Sequence, residues 1–131
     1  MKKILLGLLL LSSALFAELK NEFINQKLID SGIQIVDIRT EGEWKETGIV
    51  RKSIPIMFFD DRGGYNVAEF MKKLQTKVDT SREFALICHT GSRTRLVSEF
   101  LSKEYGYKVI NLSGGIDYAK RKGIKLVPYS K

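Results

Sequence analysis

Phe84-Ala85-Leu86-Ile87-Cys88, then His89-Thr90-Gly91-Ser92-Arg93, then Thr94 to Glu104, set an apolar run, a loop and an amphipathic segment directly one after another. The first five residues carry no polar group except a thiol. Such a run reads as a short strand covered on both faces, as strands of parallel sheets are. His89 to Arg93 reads as a loop. Thr94 to Glu104 places Leu96, Val97, Phe100 and Leu101 at helical spacing and reads as a helix.

The same alternation extends in both directions. Glu18 to Ile29 carries Leu19, Phe23, Ile24 and Leu28 at helical spacing, which predicts a helix stopped by Ser31-Gly32. Ile33 to Ile38 is short and rich in β-branched residues, which predicts a strand. Thr40 and Glu43 form a capping-box pattern opening a short helix through Trp44, ended by Gly48. Ser53 to Phe58 reads as extended, Asp60-Asp61-Arg62-Gly63-Gly64 as a turn, and Val67 to Val78 as a helix. Tyr107 to Leu112 reads as a strand, Ser113-Gly114-Gly115 as a tight turn, and Ile116 to Lys122 as a last helix. Strands alternating with helices predict an α/β fold with an open, mostly parallel sheet flanked by helices on both faces.

The 131 residues suit one domain, and no repeat or linker divides them. Met1-Lys2-Lys3, the apolar stretch to Phe16, and Ala17 before a polar run have the layout of a secretory signal peptide. The expected organisation is a signal peptide over 1–17 and the domain over 18–131. The apolar run of about 13 residues is short of the roughly 20 that span a bilayer, so no stable membrane insertion is expected after cleavage. The expected location is outside the cytoplasm, the periplasm in a bacterial cell. The net charge is +7, but the lysines and arginines are spread along the chain, which argues for solubility rather than nucleic-acid binding.

Cys88 is the only cysteine and His89 the only histidine. An intrachain disulfide is therefore excluded, and so is a zinc site built from the usual Cys and His set. A lone thiol at the carboxyl end of a parallel strand occupies the place where such sheets build their sites. Gly91 permits a tight backbone, successive N–H groups of the loop can turn inward, and the following helix adds its positive end. Arg93 and Arg95 add cations at or near the rim. These features favour negative charge at the sulfur, as a nucleophile requires. A cation in a helix's first turn is unfavourable unless an anion answers it, so the placement of Arg93 wants a reason.

Cys88-His89-Thr90-Gly91-Ser92-Arg93-Thr94 resembles the active-site loop of the rhodanese family, Cys-basic-any-Gly-any-Arg-(Thr/Ser). Val36-Asp37-Ile38-Arg39 followed by Glu43-Trp44 resembles that family's Asp-any-Arg segment. Asn111-Leu112-Ser113-Gly114-Gly115-Ile116 resembles its Gly-Gly turn. The resemblance implies a rhodanese-like fold and a single-domain, exported sulfurtransferase with Cys88 as the catalytic residue. His89, Thr90, Gly91, Ser92 and Arg93 would form the anion-binding loop, with Arg95 at its rim and Asp37, Arg39, Gly114 and Gly115 as structural support. It further implies a thiosulfate-like donor, an acceptor thiol or cyanide, or a sulfur-relay protein, and neither metal nor organic cofactor. Related cysteine phosphatases use a loop one residue longer, so the resemblance implies a pocket sized for a sulfur atom rather than a phosphate. Two segments depart from the family pattern. Gly48-Ile49-Val50-Arg51-Lys52-Ser53 lacks the usual His and second Gly, which implies a repacked loop, and Tyr118-Ala119 stand where many members have Trp. The alternative from another class is a binding or redox module that uses the same loop to recognise a partner without turnover.

Overall fold

The computed structural model describes residues 19–131, and the signal peptide expected over 1–17 lies outside them. In chain order the elements are β1 (Leu19–Phe23), α1 (Gln26–Asp30), β2 (Gln34–Asp37), α2 (Glu41–Thr47), β3 (Ile49–Val50), β4 (Ile54–Pro55), α3 (Val67–Lys77), β5 (Phe84–Ile87), α4 (Ser92–Tyr105), β6 (Val109–Ser113), α5 (Gly115–Arg121) and β7 (Leu126–Val127). Five strands form one sheet in the order β1-β6-β5-β2-β4, and every pairing in it is parallel. Phe84 to Ile87 is buried at every position because both faces of β5 are covered. Phe84, Leu86 and Cys88 join the core on one face with Phe70 and Leu74 of α3 and Val97 and Leu101 of α4. Ala85 and Ile87 point to the other face and pack with Ile116 and Ala119 of α5 and Leu28 and Ile29 of α1. That alternation is the period of two expected of a strand.

The expected helix over Glu18 to Ile29 is not what forms among its described residues. Leu19–Phe23 is an edge strand in register with β6, from Leu19↔Val109 to Phe23↔Ser113. The reason is tertiary: without it, β6 would present a row of unpaired backbone groups, and pairing with β1 satisfies them. The helix begins only after Asn25, whose side chain accepts a hydrogen bond from Leu28 N at 2.8 Å. Gly48 to Ser53 runs through the short strand β3 and a turn. Ile49–Val50 pairs antiparallel with Leu126–Val127, and a Cβ at Gly48 would collide with the Val127 backbone. Trp44 is buried and packs on Tyr129 with ring centroids 5.2 Å apart. Among the described residues, no helix is long and apolar enough to cross a membrane.

Strand register sets the level at which the loops emerge. Asp37 lies opposite Ile87, and Ile38 N donates to Ile87 O at 3.0 Å. Ile38 and Cys88 therefore leave the sheet side by side at its carboxyl edge, with Arg39 one residue further on, where α/β sheets place their sites.

Candidate active site

Cys88 follows the last residue of β5 and is fully buried. The helix after it starts at Ser92, two residues earlier than its periodicity predicts. The residue that allows this is Gly91, which caps α4 in the left-handed conformation at φ 100°. A helix start leaves its N–H groups without intrahelical acceptors, and Cys88 Sγ takes one of them: Gly91 N donates to it at 3.1 Å. The sulfur thus sits at the positive end of a 14-residue helix. Thr90 Oγ1 and Ser92 Oγ lie 3.4 Å apart at the exposed crest of the loop.

The Gly-Gly turn holds the loop from the far side. Ile116 N donates to Cys88 O at 2.8 Å and Asp117 N to His89 O at 3.0 Å. These bonds draw the loop's carbonyls toward the start of α5 and away from the thiol. The approach is so close that a Cβ at Gly115 would sit 2.6 Å from His89 O and nearer still to Cys88 O. A Cβ at Gly91 would in turn sit 2.9 Å from Gly114 N. His89 Nε2 lies 3.0 Å from Asp117 Oδ1 at the surface, outside the loop.

Arg93 finds its anion in Glu43. Nη1 and Nη2 donate to Oε1 and Oε2, each at 2.8 Å. Hydrogen bonds from Arg93 hold the Glu43 carboxyl down at about 2, against the opposing effect of partial burial. The same bonds make Arg93 more basic than usual, opposed by burial, with smaller electrostatic contributions from Glu43, Cys88 and Asp37. Glu43 is the site residue that the sequence marked as a helix cap and as part of the Asp-any-Arg segment, not as the partner of Arg93. It serves as both cap and partner, since Oε1 also accepts from Thr40 N at 3.3 Å. Arg95 is exposed on α4.

Asp37 and Arg39 are both fully buried, and Arg39 Nη2 donates to Asp37 Oδ2 at 2.9 Å. Arg39 also donates to Thr47 Oγ1 at 2.9 Å and Gly48 O at 3.0 Å. It therefore anchors the end of α2, the helix that carries Glu43. An open cleft of about 590 Å³ lies beside the loop, lined by Thr40, Glu43, Asp60, Asp61, Ser92 and Arg93 among others. Asp60 shapes its turn by accepting from Arg62 N at 2.9 Å and Gly64 N at 2.8 Å. Among the described residues, no group of three or more His, Cys, Asp or Glu side chains is placed to hold a metal ion.

Known proteins share this fold. A rhodanese-related protein from Thermoplasma volcanium has the same fold, with a TM-score of 0.63 at 22% identity over 82% of this chain and 99% of its own. An NAD-dependent persulfide reductase from A. fulgidus contains a similar unit, with a TM-score of 0.51 at 26% identity over 88% of this chain and 18% of that one. The Bacillus subtilis (strain 168) protein named "Putative sulfurtransferase YtwF" is 25% identical over 100 residues, 76% of this chain and 85% of its own. The sequence model of the rhodanese-like domain matches residues 17–122, and with the loop, the buried Asp-Arg pair and the Gly-Gly turn in place, the chain belongs to the rhodanese-like domain family.

Proposed function

We propose that this protein is a sulfurtransferase that carries sulfane sulfur as a persulfide on Cys88. The observation that carries the reading is the Gly91 N–H donating to the sulfur of the chain's sole cysteine at the start of α4. A hydrogen bond of this kind stabilises a sulfur anion, and both the attacking thiolate and the persulfide product are anions. The sulfurtransferase name of the Bacillus subtilis relative and the persulfide reductase title of the A. fulgidus neighbour are consistent with it.

With thiosulfate as donor, the Cys88 thiolate attacks the sulfane sulfur. The sulfur–sulfur bond breaks, its electron pair leaves with sulfite, and Cys88 retains the added sulfur as a persulfide anion. An acceptor thiolate or cyanide then attacks that terminal sulfur and returns Cys88 as thiolate. The two half-reactions conserve charge and need no oxidant or cofactor. The setting proposed for this chemistry is extracytoplasmic, on the strength of residues 1–17.

The test is mass spectrometry of the purified protein after incubation with thiosulfate. A gain of about 32 Da localised to Cys88 and lost on adding cyanide is expected, together with no gain in Cys88→Ser. Absence of the gain with thiosulfate and with other sulfane donors would sink the reading.

A further inference from the structure

A second polar group reaches Cys88 from inside the protein. Thr94 is fully buried, and its hydroxyl oxygen lies 3.5 Å from Cys88 Sγ. The same oxygen lies 2.6 Å from Asn111 Oδ1 and 3.2 Å from Gly91 O. Asn111 stands on β6, only 4% exposed, and its Nδ2 donates to Asn21 Oδ1 at 2.9 Å. Asn21 and Asn111 are register partners on β1 and β6. A chain of hydrogen bonds thus runs from the sulfur through α4 and across two strands to the sheet edge.

The proton count decides what this chain does. A hydroxyl has one proton and two lone pairs, while an amide oxygen and a carbonyl only accept. Asn111 Oδ1 makes the shortest contact with Thr94 and takes its proton. What Thr94 then turns toward the sulfur is a lone pair, which suits a neutral S–H and offers nothing to a sulfur anion.

We propose that Asn111 is a positioning residue for Cys88: by holding the Thr94 proton it withholds that hydroxyl's hydrogen bond from the sulfur. The inference rests on the reading of Cys88 as a nucleophile. The charged groups on elements packed around Cys88 are the Arg93–Glu43 pair, the His89–Asp117 pair and the buried Asp37–Arg39 pair. A neutral substitution at Asn111 removes none of them.

The experiment is the rate of Cys88 alkylation by iodoacetamide as a function of pH in the full-length protein. Asn111→Leu removes the shortest acceptor of the Thr94 proton and leaves it shared between Gly91 O at 3.2 Å and the sulfur at 3.5 Å, so the rate on the lower limb of the profile is expected to rise, by up to about three- to tenfold, one neutral hydrogen bond's worth. The high-pH plateau is expected to stay put. Thr94→Val is expected to abolish the gain, so that the double variant matches Thr94→Val alone. An unchanged or slower lower limb overturns the proposal. So does a rise of the whole profile including the plateau, which would mean loosened packing, or a gain that persists without Thr94. If Asn111→Leu does not fold, Asn111→Ala removes the same acceptor with less bulk. It is expected to move the lower limb in the same direction, and no movement overturns the proposal. Alkylation needs no sulfane sulfur, so its outcome is independent of whether the persulfide forms.

Discussion

Arg93 and Glu43, fifty residues apart in the chain, face each other as a two-pronged ion pair with both contacts at 2.8 Å. The pair ties the first turn of the helix behind Cys88 to the helix that follows β2. Its side chains are about a quarter exposed, so solvent weakens but does not cancel it. Glu43→Ala leaves a cation at the positive end of α4 without an answer. The expected result is a loss of about 1 kcal/mol in urea unfolding, and persulfide formation slowed about tenfold as the loop loses its register. A double-mutant cycle with Arg93→Ala checks the assignment. The second substitution should add little to the first, and fully additive losses would show that the two side chains act separately.

The same pair predicts a window of acid sensitivity. Glu43 is held at about 2 in the folded protein, below its ordinary value of 4.5, chiefly by hydrogen bonds from Arg93. Between those values the unfolded chain binds a proton that the folded chain does not, so stability rises with pH across this range. The contribution is fully present above 4.5 and is lost as pH falls toward about 2. Thermal unfolding followed from pH 5 downward should show a shallower decline in Glu43→Gln than in the wild type. Parallel declines would place the acid-labile group elsewhere.

What could be read in the chain beforehand was local or periodic. The unbroken apolar run from Phe84 to Cys88 identified a doubly covered strand because both faces of β5 make apolar contacts. Thr40 and Glu43 announced their cap because its partners lie three residues apart. Contacts set by register were not legible. Leu19 and Phe23 have helical spacing, yet the bare edge of β6 makes them a strand. Glu43 as the answer to Arg93, and Asn21 beside Asn111, depend on which strands become neighbours, and no short-range pattern records that. The early start of α4 was hidden for a different reason: its first turn is polar, and its cap is a left-handed glycine rather than a side chain.

Asp37 and Arg39 form an ion pair with no exposure on either side chain, and such pairs respond asymmetrically to mutation. Removing one partner strands a buried charge and costs about 3–5 kcal/mol, whereas replacing both by apolar groups costs much less. Asp37→Ala is therefore expected to unfold at far lower urea than the wild type. Asp37→Ala with Arg39→Met is expected to recover part of the difference, while losing the hold on Thr47 and Gly48 at the end of α2. A double variant less stable than Asp37→Ala would mean that Arg39 matters through α2 more than through its carboxylate.

Gly115 and Gly106 offer a matched comparison for the contact between α5 and the loop. Both have positive φ, 58° and 68°, so alanine carries a backbone penalty of about 1 kcal/mol at either. At Gly106 a Cβ would meet nothing within 4 Å, whereas at Gly115 it would meet the carbonyl oxygens of Cys88 and His89. Gly106→Ala should therefore cost only the backbone term and leave Cys88 chemistry unchanged. Gly115→Ala must also push α5 off the loop, breaking the bonds from Ile116 N and Asp117 N that orient those carbonyls. It is expected to cost at least about 2 kcal/mol more and to slow persulfide formation on Cys88 by about tenfold or more. Unfolding curves and the rate of the mass gain, measured on both variants, separate the two effects. Equal losses at the two glycines would show that the close approach of α5 does not shape the sulfur's surroundings.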